Sequence, residues 1–249
     1  MKTIVIACQK GGTGKSTIAV HIAMFLAELG NKVAFLNCEV QRNGSNALLK
    51  KFPQGNVNCD SFFRKELFPI EVDGAITVYP GGGFMADIEK SDARYFKPQV
   101  ERLAEHFDYC VIDTPPTLAV LQLAPLITAD YVISPLQMED FSMEGVADTI
   151  QTIVGVKQQY NPKMKYLGIL PNLVKGNSHR QRNALIQLIR MYPHFCFEPR
   201  AGAKIGNRDS IPEALGEGIP VWRLKKPTAK EAAAEMLNVM NLLKKHIEE

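Results

Sequence analysis

The sequence predicts an α/β fold: a mostly parallel, twisted sheet flanked by helices on both faces, with residues 1–249 forming one domain. Three observations predict it. Short runs rich in β-branched and aromatic residues are almost continuously apolar, as strands buried on both faces are. Longer segments with helical spacing separate them, as crossover connections require. The composition over 249 residues, 46% hydrophobic and 22% charged, is that of an ordinary globular chain large enough to bury an ample core.

The elements follow in order. Residues 3–8 open with an apolar run, and a glycine-rich loop leads into a helix at 16–29, which Gly30 ends in a left-handed turn. A strand is expected at 32–37 and a short helix at 43–50. The stretch 52–74 is the least regular, but it carries Phe52, Phe62, Phe63 and Phe68, so it reads as ordered loop and short helix. A strand at 75–79 runs into Pro80-Gly81-Gly82-Gly83-Phe84, which has no following Lys-Ser/Thr and reads as a strand-end turn. Beyond it alternate a helix at 96–106, a strand at 109–113, a helix at 118–127, a strand at 131–135, a helix at 142–160, a strand at 166–171, a helix at 179–191 and a short strand at 195–197. The last helix, 228–247, has apolar residues at 236, 237, 239, 240, 242, 243 and 247. It carries no Phe or Trp and ends in Glu248-Glu249, so it reads as a core-packing helix and not a lipid-binding one.

Composition excludes several classes. Lys+Arg is 29 and Asp+Glu is 26, a net charge of +3, too balanced to mark a polyanion binder by itself. The five cysteines (8, 38, 59, 110 and 196) form no CxxC pair, which argues against a zinc or iron–sulfur site and suits a reducing cytoplasm. There is no secretory signal and no apolar run of about 20 residues, so no membrane span is expected.

The chemistry concentrates in Lys10-Gly11-Gly12-Thr13-Gly14-Lys15-Ser16-Thr17, between a strand and a helix. Glycines let backbone N–H groups converge on phosphate oxygens, and the helix N-terminus adds positive potential. Lys15 reaches the β- and γ-phosphates, and the Ser16 hydroxyl is placed to ligate Mg²⁺. Gly11 stands only three residues before Gly14, closer than the general phosphate-loop pattern allows, so this is a variant loop marked by Lys10. That lysine cannot easily curl back onto its own γ-phosphate but can project toward a nucleotide on a second subunit. Asp113, at the end of a buried strand facing the loop, is placed to hold Mg²⁺ through water.

The run from Gln9 to Thr17 resembles the deviant Walker A box of the ParA/MinD ATPases, a P-loop NTPase family. The resemblance implies that Lys10 is the signature lysine that crosses an ATP-sandwich homodimer, and that the loop from Lys10 through Gly11, Gly12, Thr13, Gly14, Lys15 and Ser16 to Thr17 binds ATP. Val111-Ile112-Asp113-Thr114-Pro115-Pro116-Thr117 resembles the family's Walker B and second switch. The stretch from Ala129 to Gln137, with Glu144-Gly145, resembles ParA proteins proper. The run from Ile205 to Val221 resembles their late adenine-side loop, which brings Pro220 and Val221 to the nucleotide, and Asn172 sits where the family has an adenine-contacting Asn. The first switch departs from the family's Asp-x-Asp-Pro-Gln: here it is Asn37-Cys38-Glu39-Val40-Gln41. Glu39 keeps the water-positioning charge one methylene further out, so slow hydrolysis is expected.

Residues 171–230 hold 11 bases against 4 acids, a charge of +7, while the rest of the chain carries −4. That asymmetry suits a phosphate-backbone binder. The resemblance implies non-specific double-stranded DNA binding by the ATP-bound dimer, with Arg208 matching the family position. Arg180, Arg182, Lys225, Lys226 and Lys230 join it on local charge. It further implies release when a ParB-like centromere-binding protein or a cargo adaptor stimulates hydrolysis, and a cytoplasmic, nucleoid-associated protein without membrane or operator binding. Two other readings are carried: a MinD-like membrane-cycling ATPase, and a small-molecule ATP-dependent ligase on the same fold. A nitrogenase-reductase-like carrier is disfavoured because Cys8 and Cys110 lack cluster context.

Overall fold

The computed structural model describes residues 1–117, 119–139 and 142–249. In chain order its elements are β1 (Lys2–Ile6), α1 (Lys15–Glu28), β2 (Val33–Asn37), α2 (Asn43–Leu48), β3 (Ile76–Tyr79), α3 (Ala93–Glu101), β4 (Tyr109–Asp113), α4 (Val120–Thr128), β5 (Tyr131–Gln137), α5 (Met143–Gln159), β6 (Lys165–Asn172), α6 (His179–Met191), α7 (Ser210–Glu217) and α8 (Lys230–Glu248). The strands form one sheet in the order β3-β2-β4-β1-β5-β6. Every pairing is parallel, so the expected sheet with helices on both faces is the fold observed.

Alternation along the strands splits the core in two. Ile4, Ile6, Val33, Phe35 and Val111 point to one face, where they meet α1, α2, α7 and α8. Val5, Ala34, Leu36, Cys110 and Ile112 point to the other and meet α3, α4 and the C-terminal half of α5. A third cluster, around Leu136, Ile169 and Leu188, seats α5 and α6 at the β6 edge. The register sets Ile6 and Asn37 on either side of Asp113 at the carboxyl ends of β1, β2 and β4, where open parallel sheets of this kind bind their ligands.

Several expectations need correction. Residues 195–197 do not form a strand. Cys196 makes an isolated bridge to Ile169, possible because Gly168 leaves room that a Cβ would fill at 2.8 Å from the Cys196 carbonyl carbon. Residues 93–101 form α3 and the chain tightens to a 3₁₀ turn over Arg102–Glu105, so the helix expected at 96–106 starts three residues earlier and ends sooner. Ser142 caps α5 from outside by accepting the Gly145 N–H. Leu118, expected to open a helix, lies outside the described residues. α7 was not expected at all. The irregular stretch holds a buried 3₁₀ turn, Cys59–Phe63, with Phe62 and Phe63 in the core.

α8 buries Ala232, Met236, Val239, Met240, Leu243 and Ile247. No helix among the described residues is long and apolar enough to cross a membrane. The far end of α1 is tied to the 3₁₀ turn Val221–Arg223: Glu28 accepts from Trp222 Nε1 at 2.8 Å and from Arg223 Nε at 2.9 Å, and the Trp222 ring meets Phe25 and His21 edge-on.

Candidate functional site

The glycine loop leaves β1 and enters α1 through Gly12 and Gly14, both at positive φ (72° and 85°). Gly14 is the N-cap of α1 and makes no side-chain cap, so the first-turn N–H groups of the helix are left for an anion. A Cβ at Gly14 would lie 2.2 Å from Asn172 Nδ2. That amide donates to the Thr13 carbonyl at 2.8 Å, so the end of β6 braces the loop from behind. The Lys15 ammonium donates to the Lys10 carbonyl at 3.0 Å, which holds the side chain along the loop.

Facing the loop, Asp113 is fully buried, and neither carboxylate oxygen has a hydrogen-bond partner among the described residues. Burial raises its pKa to about 7; Ser16 and Lys15 work against that rise, and Glu39 adds to it. A buried carboxylate beside a hydroxyl and a second carboxylate is a hard-oxygen set suited to a divalent cation. The Ser16 hydroxyl, 3.4 Å from Glu39 Oε2, completes it, and the set fits Mg²⁺. Asn37 turns inward: its Oδ1 accepts the Glu39 N–H at 2.7 Å and its Nδ2 donates to Ser45 Oγ at 3.2 Å. It shapes the first-switch turn from within the core.

Between these elements opens a cavity of about 650 Å³, within the range of a small-molecule site. Gly11, Gly12, Thr13, Gly14, Lys15, Ser16, Thr17, Glu39 and Asn172 line it, as the sequence led us to expect. Its far wall comes from Leu173 and the segment Asn207-Arg208-Asp209 with Ile211 and Pro212. Those residues, apart from Arg208, were missed. The sequence signal for residues 207–212 was their place in the adenine-side run; Leu173 carried none beyond following Asn172. Leu173 holds φ 54°, a costly conformation for a branched side chain, as it turns out of β6 into the cavity wall.

Other expected residues lie elsewhere. Pro220 and Val221 are buried and do not line the cavity; the Val221 N–H donates to His21 Nε2 at 3.2 Å, which seats this segment against the flank of α1. Lys10 is also absent from the lining. Its side chain lies at the start of α5, where a Cβ built on Gly145 would stand 3.1 Å from Lys10 Cε. Arg208 is no free surface cation: it stands at the cavity wall, ion-paired with Glu231 and, at 3.2 Å, with Glu235 of α8. Lys226 is paired with Glu213. Arg180 and Arg182 are exposed at the start of α6 and donate to backbone carbonyls of Glu139 and Gly176. Lys225 and Lys230 are exposed beside the start of α8. No carboxylate among the described residues pairs with any of these four.

Against known proteins, the model of a family described as an AAA domain matches residues 1–71 and 82–166. The chain is 31% identical over 182 residues to the chromosome-partitioning ATPase Soj of Thermus thermophilus, with 72% of each chain covered. It belongs to the ParA/MinD family of ATPases. This ParA/MinD chain is also 34% identical over 251 residues to the protein IncC of Escherichia coli, covering 95% of itself and 67% of that relative. Among solved structures it resembles a cobyrinic acid a,c-diamide synthase from Mycobacterium smegmatis with bound ADP and magnesium. The TM-score is 0.68 at 29% identity, over 77% of this chain and 82% of that one.

Proposed function

We propose that this ATPase is a partition or positioning protein: residues 1–249, as one domain, bind ATP with Mg²⁺ in the cavity, dimerise face to face, coat DNA non-specifically and let go when a partner protein stimulates hydrolysis. The observation that carries the reading is the contrast between two lysines of one loop. Lys15 lines the cavity. Lys10 stands at the start of α5, outside the wall of its own cavity, as a group serving a neighbour's nucleotide would.

The loop amides and the N-terminus of α1 bind the phosphates, and Lys15 neutralises their charge. Ser16 and Asp113 are the residues to hold Mg²⁺, which supplies charge neutralisation at the β- and γ-phosphate oxygens when bound. Glu39 orients the attacking water. Asn172 acts through the loop, by bracing Thr13, and the adenine side falls to Leu173 and the 207–212 wall in place of Pro220 and Val221. For DNA, the cations Arg180, Arg182, Lys225 and Lys230, which have no carboxylate partner among the described residues, support the reading; Arg208 and Lys226 are withdrawn from it by their carboxylate partners. The partner fits a centromere-binding or cargo-adaptor protein, and the location a nucleoid. Burial of the apolar face of α8 weighs against a MinD-like membrane helix. The likeness to the diamide synthase favours the ligase reading, in which the protein stays monomeric with nucleotide.

Light scattering and DNA retention, measured with ADP, ATP and a non-hydrolysable ATP analogue, test the proposal. A dimer that retains DNA is expected with the analogue and not with ADP. Lys15→Ala is expected to abolish ATP binding by calorimetry, and Lys10→Ala to bind ATP yet stay monomeric. A wild-type monomer in the analogue would count for the ligase.

A further inference from the structure

The turn that follows β3, Pro80-Gly81-Gly82-Gly83, has no part in the site as described, yet it packs against the first switch backbone to backbone. None of its three glycines has a positive φ, so the absence of side chains there is a matter of space and not of backbone freedom. Gly81 is buried. A Cβ on it would stand 2.5 Å from the Glu39 carbonyl oxygen, 3.3 Å from its carbonyl carbon and 3.5 Å from the Asn37 carbonyl oxygen. These are backbone atoms and cannot swing aside. A Cβ on Gly82 would run into the Asp60 carboxylate, while one on Gly83 meets nothing within 4 Å.

The surroundings fix the turn in place. The Pro80 carbonyl accepts the Cys59 N–H at 2.8 Å, and Cys59 Sγ lies 3.6 Å from Cys38 Sγ in the buried core. On its other side the switch is pinned to β4, where the Cys38 N–H donates to the Asp113 carbonyl at 2.9 Å. Residues 37–39 are therefore gripped between the strand that carries Asp113 and the glycine turn.

We infer that Gly81 is a positioning residue for hydrolysis: its bare backbone is the stop against which the Glu39 main chain rests, and it sets where the Glu39 carboxylate meets the attacking water. The inference rests on the proposed role of Glu39. An added Cβ at Gly81 is about 0.9 Å short of the 3.4 Å at which ordinary contact begins, so the Glu39 backbone must retreat by roughly that much. A displacement of about 1 Å at a reacting group can cost on the order of 100-fold in rate.

The test measures kcat by phosphate release and nucleotide affinity by calorimetry for Gly81→Ala, Gly83→Ala, Glu39→Gln and the Gly81→Ala/Glu39→Gln pair. Gly81→Ala is expected to lower kcat by about ten- to 100-fold, with ATP and ADP affinity within about twofold of wild type. Gly83→Ala should match wild type, and the double variant should be no slower than Glu39→Gln alone, because both act through one carboxylate. Wild-type turnover in Gly81→Ala beside a slow Glu39→Gln overturns the inference and leaves the role of Glu39 standing. Wild-type turnover in Glu39→Gln removes that role and the inference with it. A parallel loss of affinity and kcat, or additive losses in the pair, overturns the inference in favour of a merely structural glycine. Should Gly81→Ala not fold, Pro80→Ala, which loosens the turn that presents Gly81 to Glu39, decides: lowered kcat at intact affinity supports the inference, and unchanged kcat overturns it.

Discussion

His21 shows what one buried side chain contributes. One turn beyond the phosphate loop, its Nδ1 donates to the Thr17 carbonyl at 2.7 Å while its Nε2 accepts the Val221 N–H at 3.2 Å, an arrangement open only to the neutral ring. Burial lowers its pKa from 6.5 to about 4. The unfolded chain therefore binds the proton first as pH falls. The stability His21 contributes is complete above about pH 6.5 and is lost on the way down to pH 4. Between pH 7.5 and 5 that loss is about 2 kcal/mol at about 1.36 kcal/mol per pKa unit. Asp113 opposes it in the nucleotide-free protein, because a carboxyl with a raised pKa takes up its proton in the folded state and gains stability over the same range. The comparison must therefore be between variants: His21→Gln should lose about 2 kcal/mol less than wild type over this interval in denaturant titrations. Equal losses would mean that the ring does not titrate as its burial dictates. At this scale the sequence was partly legible. The glycine loop's place on the cavity could be read because its residues are contiguous. The roles of Asn37 as a switch hub, Asn172 as a loop brace and Val221 as a partner of His21 could not, since each depends on an atom brought in from another strand or helix.

Elements were legible where periodicity was long and consistent. α8 reads as a core-packing helix from its apolar spacing, and it is one; Met240 is fully buried in it. Met240→Ala should cost about 2–5 kcal/mol, seen as a lowered denaturant midpoint at unchanged slope. A cost near zero would mean that α8 is held by its ends and not by its buried stripe. α7 escaped notice because it has eight residues, with Pro212 near its start and Gly216 near its end, so local preference argues against a helix. Tertiary packing of Ile211 and Ala214 against the core forms it nonetheless. The residues 195–197 misled in the opposite sense. Their aromatic content is that of a strand, but only one bridge to β6 forms, where Gly168 admits it.

For the molecule as a whole, the surplus of positive charge in the second half was visible from residue counts, but which cations remain available was not. Ion pairs with Glu235 and Glu213 remove Arg208 and Lys226, and only the fold shows which acid meets which base. If the proposed DNA surface is built from Arg180, Arg182, Lys225 and Lys230, replacing all four by Ala should flatten the plot of log affinity against log salt. The slope falls by about 0.9 for each phosphate that is no longer neutralised. Lys226→Ala should leave it nearly unchanged. An unaltered slope in the fourfold variant would place the DNA surface elsewhere. The whole-molecule view also gives α1 a double duty. Its first turn opens on the phosphate site and its last turn, through Glu28, grips Trp222, the one tryptophan of the chain. A single rigid rod thus joins the nucleotide to the sole indole, so the molecule carries its own optical gauge: intrinsic emission can follow occupancy of the site without any attached dye.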